Sequence, residues 1–324
     1  MKALVLVGGF GTRLRPVTYA IPKQLIPIAG KPMLYHVLDL LPEEVDGVVL
    51  ASGYKADVVA RFLKEHPFRL PIHCVPESTP LGTGGGMRNA GETMSDPFVL
   101  LNSDVIADVD GTALVAAHRQ HGGVGTMSLA EVEDTRPYGV AALGGDDRIE
   151  RFVEKPAPED APSHWINAGF SVWKREVLER IPRGREVSFE REIVPALIER
   201  GVFGFRFHGF WEDAGTPQRL LNAQRLLFDA KRGGTTELPE GASGRGPLAF
   251  GAGVSARGAT FGPYVHLDPG VRIGRGAHVE NSILMQGVDV GPGAIVSGSL
   301  LGPGVKIAAG SRVQDAVRAN ETPP

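Results

Sequence analysis

The first part of the chain alternates short apolar runs with helical patterns. Runs rich in Val, Leu and Ile predict strands at 2–7, 47–51, 71–75 and 97–102. These runs are continuously apolar, without the alternation of a half-exposed strand, which is typical of strands buried on both faces of a sheet. The pattern therefore predicts an α/β domain with a doubly wound, mostly parallel sheet covered by helices.

Farther along the chain the pattern changes. From 124 to 173 the apolar runs are shorter and are separated by glycine and proline turns, and we expect this section to carry a substrate pocket. A helix is predicted over 190–199, with an interruption at Pro195 because proline lacks the backbone N–H. A further helix is predicted over 217–232, with a proline in its first turn.

A polar, turn-rich segment at 233–247 predicts a linker between a domain at 1–232 and a second module. The module at 248–313 has apolar residues at near-hexapeptide spacing and glycine or proline at the corners, and the tail at 314–324 is polar. The recurring apolar positions are Val254, Val265, Val271, Ala277, Ile283, Val288, Ala294, Leu300 and Val305. Such spacing predicts a parallel β-helix of about three coils, and its resemblance to hexapeptide-repeat proteins implies a left-handed coil.

Composition excludes several classes of function. A net charge of −3 and a pI near 6.3 give no basic surface for nucleic acid. The single cysteine, Cys74, permits no internal disulfide. No apolar run approaches the ~20 residues of a membrane span, and Met1 and Lys2 lead directly into a strand. We expect a cytoplasmic protein with no membrane or nucleic-acid partner.

A glycine-rich stretch at 8–23 follows the first strand. Its glycines let backbone N–H groups approach a phosphate closely, and Arg13, Arg15 and Lys23 supply positive charge. The stretch lacks the Gly-Lys-Ser/Thr ending of a P-loop, and Leu14 occupies the place of the third glycine in G-x-G-x-x-G. A tight turn with basic surface residues is the alternative to a phosphate site.

The run G-G-F-G-T-R-L, followed about ten residues later by Pro22 and Lys23, resembles the signature of sugar-phosphate nucleotidyltransferases. The resemblance implies a Rossmann-like catalytic domain with a doubly wound mixed sheet. Its glycine-rich loop would wrap the triphosphate of a nucleotide, with Arg13 and Lys23 in catalytic roles. It assigns nucleotide-binding roles here to Leu6, Gly8, Gly9, Gly11, Thr12 and Arg13. The substrates implied are a nucleoside triphosphate and a sugar 1-phosphate.

Two acidic positions are candidate ligands of a metal ion. Asp104 follows the strand at 97–102, and Asp213 precedes a Gly-Thr-Pro helix start. Helix capping is the alternative role for Asp104. Carboxylates from distant segments can share one Mg²⁺ while phosphates and water complete its ligands. The family resemblance implies this role for Asp104 and Asp213, with Mg²⁺ as the cofactor and Glu212 as a weaker candidate.

The run R-F-V-E-K-P at 151–156 resembles the family's sugar-phosphate segment. The resemblance implies that Glu154 accepts hydrogen bonds from sugar hydroxyls and that Lys155 holds the anomeric phosphate. An ion pair on an edge strand is the alternative. At the family's spacing, Asn167 faces the sugar, and Gly139 and Gly169 let the backbone approach it.

The run P-L-G-T-G-G-G-M-R at 80–88 resembles the family's base-binding loop and assigns Pro80, Gly82 and Thr83 to the nucleotide. Its glycines at a helix start require a ligand or close packing. Glu77 stands where relatives that take uracil or thymine commonly have glutamine. A carboxylate accepts hydrogen bonds from N1–H and the exocyclic amine of guanine, whereas it meets acceptors on a pyrimidine. Glu77 therefore favours GTP.

Other sequence motifs favour two different nucleotides. The run V-S-F-E-R-E at 187–192 resembles a segment of mannose-1-phosphate guanylyltransferases. In contrast, P-K-Q-L at 22–25 resembles glucose-1-phosphate thymidylyltransferases, and Ser103 departs from the glycine that most relatives have before the aspartate. GTP with mannose 1-phosphate is the prediction. A thymidylyl- or uridylyltransferase acting on glucose 1-phosphate is the alternative.

Two further classes of function compete with this enzyme. A non-catalytic regulatory subunit of the same fold predicts losses among Arg13, Lys23, Asp104, Lys155 and Asp213, and all five residues are present. An acyltransferase is the other alternative, because His266 and His278 lie within the β-helix. A β-helix of about three coils leaves little room for an acyl donor. The ends of a β-helix expose strand edges, so we expect a homo-oligomer formed through this module.

Overall fold

The computed structural model describes residues 1–234 and 237–320. The chain folds as two compact units. The sheet unit comprises Met1–Gly9 and Val37–Trp211, and the β-helix unit comprises Phe10–His36 and Glu212–Pro324. Residues 10–36 and 212–232 therefore pack with the C-terminal part of the chain, although the sequence pattern placed them with the first domain. The functional boundary at 232 stays a prediction.

The sheet unit is built on a nine-stranded sheet. Its strands are Lys2–Val7, Gly47–Ser52, Ile72–Pro76, Phe98–Asn102, Gly125–Glu131, Gly139–Leu143, Ile149–Glu154, Trp165–Trp173 and Val202–Arg206. Lys2–Val7 pairs in parallel with Gly47–Ser52 on one side and with Phe98–Asn102 on the other. The four strands predicted in this region are confirmed within one residue at each end, because each is rich in apolar residues. Ile72–Pro76, at the edge of the sheet and interrupted by His73, is only partly buried.

The second half of this sheet is mostly antiparallel, although Val202–Arg206 pairs in parallel with Gly125–Glu131. Trp165–Trp173 pairs antiparallel with Phe98–Asn102 and also with Gly125–Glu131. Its register with Gly125–Glu131 shifts between Asn167 and Ser171, which bends the strand at a predicted sugar residue. The sheet is therefore mixed, as the Rossmann-like fold class predicted.

Helices cover this sheet and fill the remaining segments. The α-helices of the chain are Val17–Ala20, Met33–Leu38, Ala56–Glu65, Gly82–Ala90, Gly111–His121, Glu176–Glu179, Val194–Leu197 and Pro217–Asp229. A π-helical turn spans Phe189–Ile193, and 3₁₀ turns span Thr12–Leu14, Lys23–Leu25, Gly91–Thr93, Pro158–Asp160 and Ile198–Arg200. The helix predicted over 190–199 is thus three short pieces around Pro195, whose missing N–H cannot continue a regular helix. Among the described residues, no helix has the length and apolarity needed to cross a bilayer.

The C-terminal half of the β-helix unit consists of stacked parallel strands. They form two five-stranded sheets and one three-stranded sheet. Their bounds are Ser243–Gly244, Leu248–Phe250, Thr260–Phe261, Val265–Leu267, Arg272–Ile273, His278–Glu280, Ser282–Leu284, Asp289–Val290, Ile295–Ser297, Leu300–Leu301, Lys306–Ile307, Arg312–Gln314 and Val317–Arg318. Aliphatic side chains from all three sheets fill the interior. This arrangement is consistent with a left-handed β-helix.

The β-helix is longer than the hexapeptide spacing indicated. Five strands in each of two sheets require more than the about three coils predicted from the repeat. Strands begin at Ser243, inside the predicted linker, and continue to Arg318, inside the predicted tail. Polar residues occupy these outer coils because only one face of each short strand is buried. Residues 235–236 of the linker and 321–324 of the tail lie outside the described part of the chain.

Gln224 ties the β-helix to the rest of its unit. It is fully buried on the helix Pro217–Asp229. Its side-chain oxygen accepts a hydrogen bond from Ala29 N at 3.3 Å, and its amide donates to Tyr264 O at 3.0 Å. Gly30 N also donates to His266 Nδ1 at 3.0 Å. These long-range bonds explain why residues 10–36 fold with the C-terminal segment.

The remaining short strands are Pro27–Ile28, Lys31–Pro32, Val105–Ala107 and Trp211–Asp213. Pro27–Ile28 pairs antiparallel with Lys31–Pro32 and forms a hairpin within the β-helix unit. Ala29, in its turn, has a φ of 45°, and Gly30 has a φ of 101°. The hairpin carries the backbone N–H groups that bond to Gln224 and His266.

Candidate active site

In the sheet unit, several predicted site residues lie where the parallel strands end. Leu6 is the penultimate residue of the strand Lys2–Val7, which Gly8 and Gly9 follow. Glu77 follows Ile72–Pro76, and Asp104 follows Phe98–Asn102 by two residues. The carboxyl ends of parallel strands meet at one edge of a sheet, where open α/β folds bind their ligands. The sheet order therefore brings Leu6, Glu77 and Asp104 to the same edge.

Glu77 is folded back onto the helix that it precedes. Its Oε2 accepts a hydrogen bond from Leu81 N at 3.3 Å, just before the helix Gly82–Ala90. A Cβ added to Gly86 would lie 2.5 Å from Glu77 Oε1, so the glycine makes room for the carboxylate. Burial raises the pKa of Glu77, and the bond from Leu81 opposes that rise. A partly desolvated carboxylate of this kind discriminates strongly between donors and acceptors on a ligand.

The glycines at the start of this helix permit close packing against 185–189. A Cβ on Gly82 would lie 2.6 Å from Val187 O, and Gly82 also has a φ of +69°. Gly84 N donates to Val187 O at 2.9 Å, and Val187 N donates to Leu81 O at 2.9 Å. The sequence left open whether a ligand or close packing requires these glycines. The packing against Val187 is sufficient for Gly82 and Gly84.

The hydroxyl of Thr83 is engaged within the protein. Thr83 Oγ1 donates to Glu190 Oε2 at 2.6 Å and accepts from Phe189 N at 2.8 Å. A threonine hydroxyl has one proton to donate. Because that proton goes to Glu190, a contact of Thr83 with the nucleotide would use its methyl group, its backbone or its remaining lone pair.

Glu154 ends the strand Ile149–Glu154 in a largely buried position. Its side chain is 13% exposed, and Glu154 Oε1 lies 3.4 Å from Lys155 Nζ. Burial first, and then the charge of Glu190, raise the pKa of Glu154, while Lys155 and Arg191 oppose the rise. A Cβ on Gly139 would lie 2.8 Å from Glu154 Oε2. Gly139 therefore leaves room for this carboxylate, an additional reason for glycine at that position.

Lys155 leaves the strand in an unusual backbone conformation. Its φ is 53°, and Lys155 N donates to Tyr138 O at 2.9 Å. Left-handed backbone at a bulky residue costs free energy and is concentrated at ligand-binding positions. About half of the Lys155 side chain is exposed, so its ammonium group is accessible to an anion.

The turn at 167–169 carries the other predicted sugar residues. Asn167 Oδ1 accepts from Gly169 N at 3.1 Å. Gly169 has a φ of +77°, and a Cβ there would lie 3.1 Å from Asn102 Nδ2. The left-handed conformation and this close approach both require glycine. Asn167 is thereby held by its own turn.

Two aromatic residues beside this turn were missed from the sequence. Trp211 Nε1 donates to Ala168 O at 3.2 Å. The rings of Trp211 and Tyr138 meet edge to face with centroids 4.9 Å apart. The position of Trp211, directly before the acidic pair at 212–213, was the only signal for it.

In the β-helix unit, the glycine-rich stretch continues into a 3₁₀ turn, Thr12–Leu14. Gly11 has a φ of +60°, and its carbonyl accepts from Thr18 Oγ1 at 2.9 Å. A Cβ on Gly11 would lie 2.8 Å from Thr18 Cγ2, which requires glycine here. The turn fixes Thr12 and Arg13 directly after it.

Three cations surround Asp213. Arg13 Nη2 and Lys23 Nζ lie 3.9 Å and 4.0 Å from its carboxylate oxygens, and Arg219 Nη1 lies at 3.6 Å. The structure therefore brings together Arg13, Lys23 and Asp213, which the sequence proposed separately. Arg219 was missed. It lies on the first turn of the helix that begins at Pro217, so its spacing from Asp213 was the available signal.

Glu212 has different surroundings from Asp213. Glu212 Oε2 accepts from Asn222 Nδ2 at 2.6 Å, and burial is the largest cause that raises the pKa of Glu212. A carboxylate oxygen bonded to an amide is less available to a cation. The preference for Asp213 over Glu212 stays a prediction.

Asp104 belongs to the sheet unit and Asp213 to the β-helix unit. In residues 1–234 and 237–320, no group of three or more His, Cys, Asp and Glu side chains is arranged to hold a metal ion. A pair of carboxylates that completes its metal shell with phosphates and water does not need such a group. The shared site of Asp104 and Asp213 stays a prediction.

Comparison with known proteins agrees with this architecture. Residues 2–229 match the nucleotidyl transferase family, and residues 251–322 match the GMPPB C-terminal domain. The chain is 39% identical over 300 residues to mannose-1-phosphate guanylyltransferase of Mycobacterium tuberculosis, covering 86% of this chain and 83% of that protein. It is 36% identical over 297 residues to probable mannose-1-phosphate guanylyltransferase 1 of Oryza sativa, covering 88% and 81%.

A solved structure is also similar. HddC from Yersinia pseudotuberculosis, complexed with GMP-PN, superposes with a TM-score of 0.59 at 28% identity, covering 69% of this chain and 98% of that chain. The family match spans more than half of the chain and includes the glycine-rich loop, both acidic motifs and the 151–156 segment. The family predicted from these motifs is confirmed: this chain belongs to the nucleotidyl transferase family.

Proposed function

We propose that the chain transfers a guanylyl group from GTP to mannose 1-phosphate and releases pyrophosphate, forming GDP-mannose. The observation that carries the proposal is the carboxylate of Glu77, partly buried at the start of the helix Gly82–Ala90. It offers acceptors where guanine has two donors. The names of the similar mannose-1-phosphate guanylyltransferases support the same choice of substrates.

The reaction needs no nucleophile from the protein. An oxygen of the sugar phosphate, already anionic, attacks the α-phosphorus of GTP in line with the departing pyrophosphate. Catalysis then consists of positioning and charge neutralisation. Lys155 holds the attacking phosphate with its accessible ammonium group. Arg13 and Lys23, which both lie within 4.0 Å of the Asp213 carboxylate, neutralise the departing pyrophosphate.

We assign Mg²⁺ as the cofactor and Asp104 and Asp213 as the residues that hold it. Both offer hard oxygen ligands, and the Asp213 side chain is only 16% exposed. Arg13 Nη2, Lys23 Nζ and Arg219 Nη1 lie 3.9, 4.0 and 3.6 Å from oxygens of Asp213, so positive charge is concentrated beside this carboxylate. A bound Mg²⁺ supplies positive charge to the α-phosphate.

Glu154 and Asn167 orient the sugar in this proposal. The raised pKa of Glu154 and its small exposed fraction are typical of a carboxylate in a site that excludes water. Gly169, with its φ of +77° and no side chain, leaves space for the sugar beside Asn167. The rings of Tyr138 and Trp211 pack edge to face beside this turn.

A substrate matrix tests the proposal. GTP, dTTP, UTP, ATP and CTP are each combined with mannose 1-phosphate, glucose 1-phosphate and N-acetylglucosamine 1-phosphate, and pyrophosphate release is measured. We expect GTP with mannose 1-phosphate to give the highest kcat/KM. A clear preference for dTTP with glucose 1-phosphate would refute the assignment made from Glu77.

The thymidylyl or uridylyl alternative rests mainly on Gln24. Gln24 lies in the turn Lys23–Leu25 and is buried, with 3% of its surface exposed. A residue so placed serves packing and internal hydrogen bonding before it reads a base. This burial makes Gln24 a weaker determinant of the nucleotide than Glu77.

The regulatory-subunit alternative still requires losses among the charged site residues, all of which are present.

We further propose that the protein works in the cytoplasm as a homo-oligomer formed through the β-helix. Arg312–Gln314 and Val317–Arg318 are the last strands of their sheets in the described chain and present edges to a second copy. We expect sedimentation velocity of the full chain to give a mass of at least two chains. The double variant Arg312→Glu and Arg318→Glu should lower that mass. A monomeric wild-type protein at micromolar concentration would contradict this proposal.

A further inference from the structure

The turn at 187–192 contains a carboxylate to which the proposed reaction assigns no role. Ser188 Oγ accepts from Arg191 N at 3.2 Å, and Ser188 N donates to Glu192 Oε1 at 2.9 Å. Phe189 is buried and meets Trp173 edge to face at 4.9 Å. The backbone around Glu190 is therefore held by reciprocal caps and by core packing.

The side chain of Glu190 is also held. Its Oε2 accepts from Thr83 Oγ1 at 2.6 Å, a short bond to a charged acceptor. Thr83 lies on the helix Gly82–Ala90, which carries the proposed base-binding loop. In the part of the chain that the structure describes, Thr83 is the hydrogen-bond partner of Glu190, and Glu190 Oε1 keeps its lone pairs for another donor.

A second carboxylate, that of Glu154, ends the strand next to this turn. The strand Ile149–Glu154 packs on the turn Phe189–Ile193. The charge of Glu190 is the second cause, after burial, that raises the pKa of Glu154, while Lys155 and Arg191 oppose it. Carboxylates of like charge in neighbouring elements repel each other. A ligand that donates hydrogen bonds to both relieves that repulsion.

We infer that Glu190 is a second sugar-binding residue, which accepts a hydrogen bond from a ring hydroxyl through Oε1 while Glu154 accepts from a neighbouring one. This inference rests on the proposed function. The pair selects a hexose 1-phosphate whose ring carries adjacent hydroxyls and no charged substituent. It disfavours a hexuronic acid 1-phosphate, whose carboxylate would meet two like charges.

The test replaces Glu190 by glutamine in the full chain. Glutamine keeps the shape and one acceptor but removes the charge. We expect kcat/KM for mannose 1-phosphate to fall about 10- to 100-fold, the range for a lost hydrogen bond to a charged group. The loss should appear mainly in KM for the sugar phosphate, with KM for GTP unchanged. Glu199→Gln, which changes an exposed carboxylate on the 3₁₀ turn Ile198–Arg200, is the matched control.

Deoxy analogues separate a sugar contact from a structural role. Wild type and Glu190→Gln are compared on four monodeoxy mannose 1-phosphates, each lacking one hydroxyl. For the analogue that lacks the hydroxyl bound by Glu190, the variant should perform within about twofold of wild type, because the deleted contact is already absent. An equal loss on mannose 1-phosphate and on all four analogues would overturn the inference.

A second variant guards against misfolding of the first. Glu190→Asp keeps the charge and shortens the reach, and the same analogue comparison applies to it. Wild-type protein that is inactive with every sugar phosphate would refute the proposed function itself. Active wild type with uniform losses in both variants would refute only the role of Glu190.

Discussion

Replacing Lys23 by alanine is expected to reduce pyrophosphate exchange by about 10²-fold or more, the usual cost of one group that stabilises charge in the transition state. Lys23 is buried, with 8% of its surface exposed, and its Nζ lies 4.0 Å from Asp213 Oδ1. A cation in such a site is weakly screened by solvent, so its attraction for a departing pyrophosphate is strong. The measurement is exchange of radiolabelled pyrophosphate into GTP with GDP-mannose present.

Asp104→Asn and Asp213→Asn belong to the same prediction. Asparagine keeps the shape but removes the charge proposed to hold Mg²⁺, and exchange should again fall steeply. Asp57→Asn and Lys64→Ala, on exposed positions of the helix Ala56–Glu65, control for changes of net charge. Thermal unfolding of each variant separates lost catalysis from lost structure. Near-normal exchange in the folded site variants would refute these roles.

Glu77→Gln is expected to weaken the preference for GTP over dTTP by about 1–3 kcal/mol, which is roughly 5- to 150-fold in the ratio of kcat/KM values. Glutamine can accept only one hydrogen bond from the two donors of guanine, and its amide can donate to the acceptors of a pyrimidine. The measured quantity is the ratio of kcat/KM for GTP and dTTP, each with mannose 1-phosphate.

Gly86 provides a control for this variant. Its missing Cβ makes room for Glu77 Oε1, so Gly86→Ala should displace the carboxylate without changing its chemistry. We expect Gly86→Ala to lower kcat/KM for GTP while creating no gain for dTTP. If Glu77→Gln leaves the GTP preference at its wild-type value, another residue reads the base and Glu77 serves only to cap the helix at Leu81.

The sequence predicted much of the local structure because each of those elements follows from its own residues. The strand Phe98–Asn102 is an apolar run that ends before a polar turn, and the glycine-rich loop carries its own conformational requirement at Gly11. The β-helix follows from short repeated spacing. Family membership followed in the same way, because its motifs are contiguous.

Contacts between distant residues were inaccessible to that reasoning. Arg219 reaches Asp213, Trp211 meets Tyr138, and Gln224 draws residues 10–36 to the β-helix unit only through folding.

The pairing of Thr83 with Glu190 shows the same division. Both segments resemble family motifs, from which we predicted that Thr83 binds the nucleotide and predicted no role for Glu190. In the structure the hydroxyl of Thr83 donates to Glu190, across more than a hundred residues of chain. Residue type and local spacing determine which turn or strand forms. Which carboxylate shares a pocket with which donor depends on packing that closes long loops, and that is decided by the tertiary structure alone.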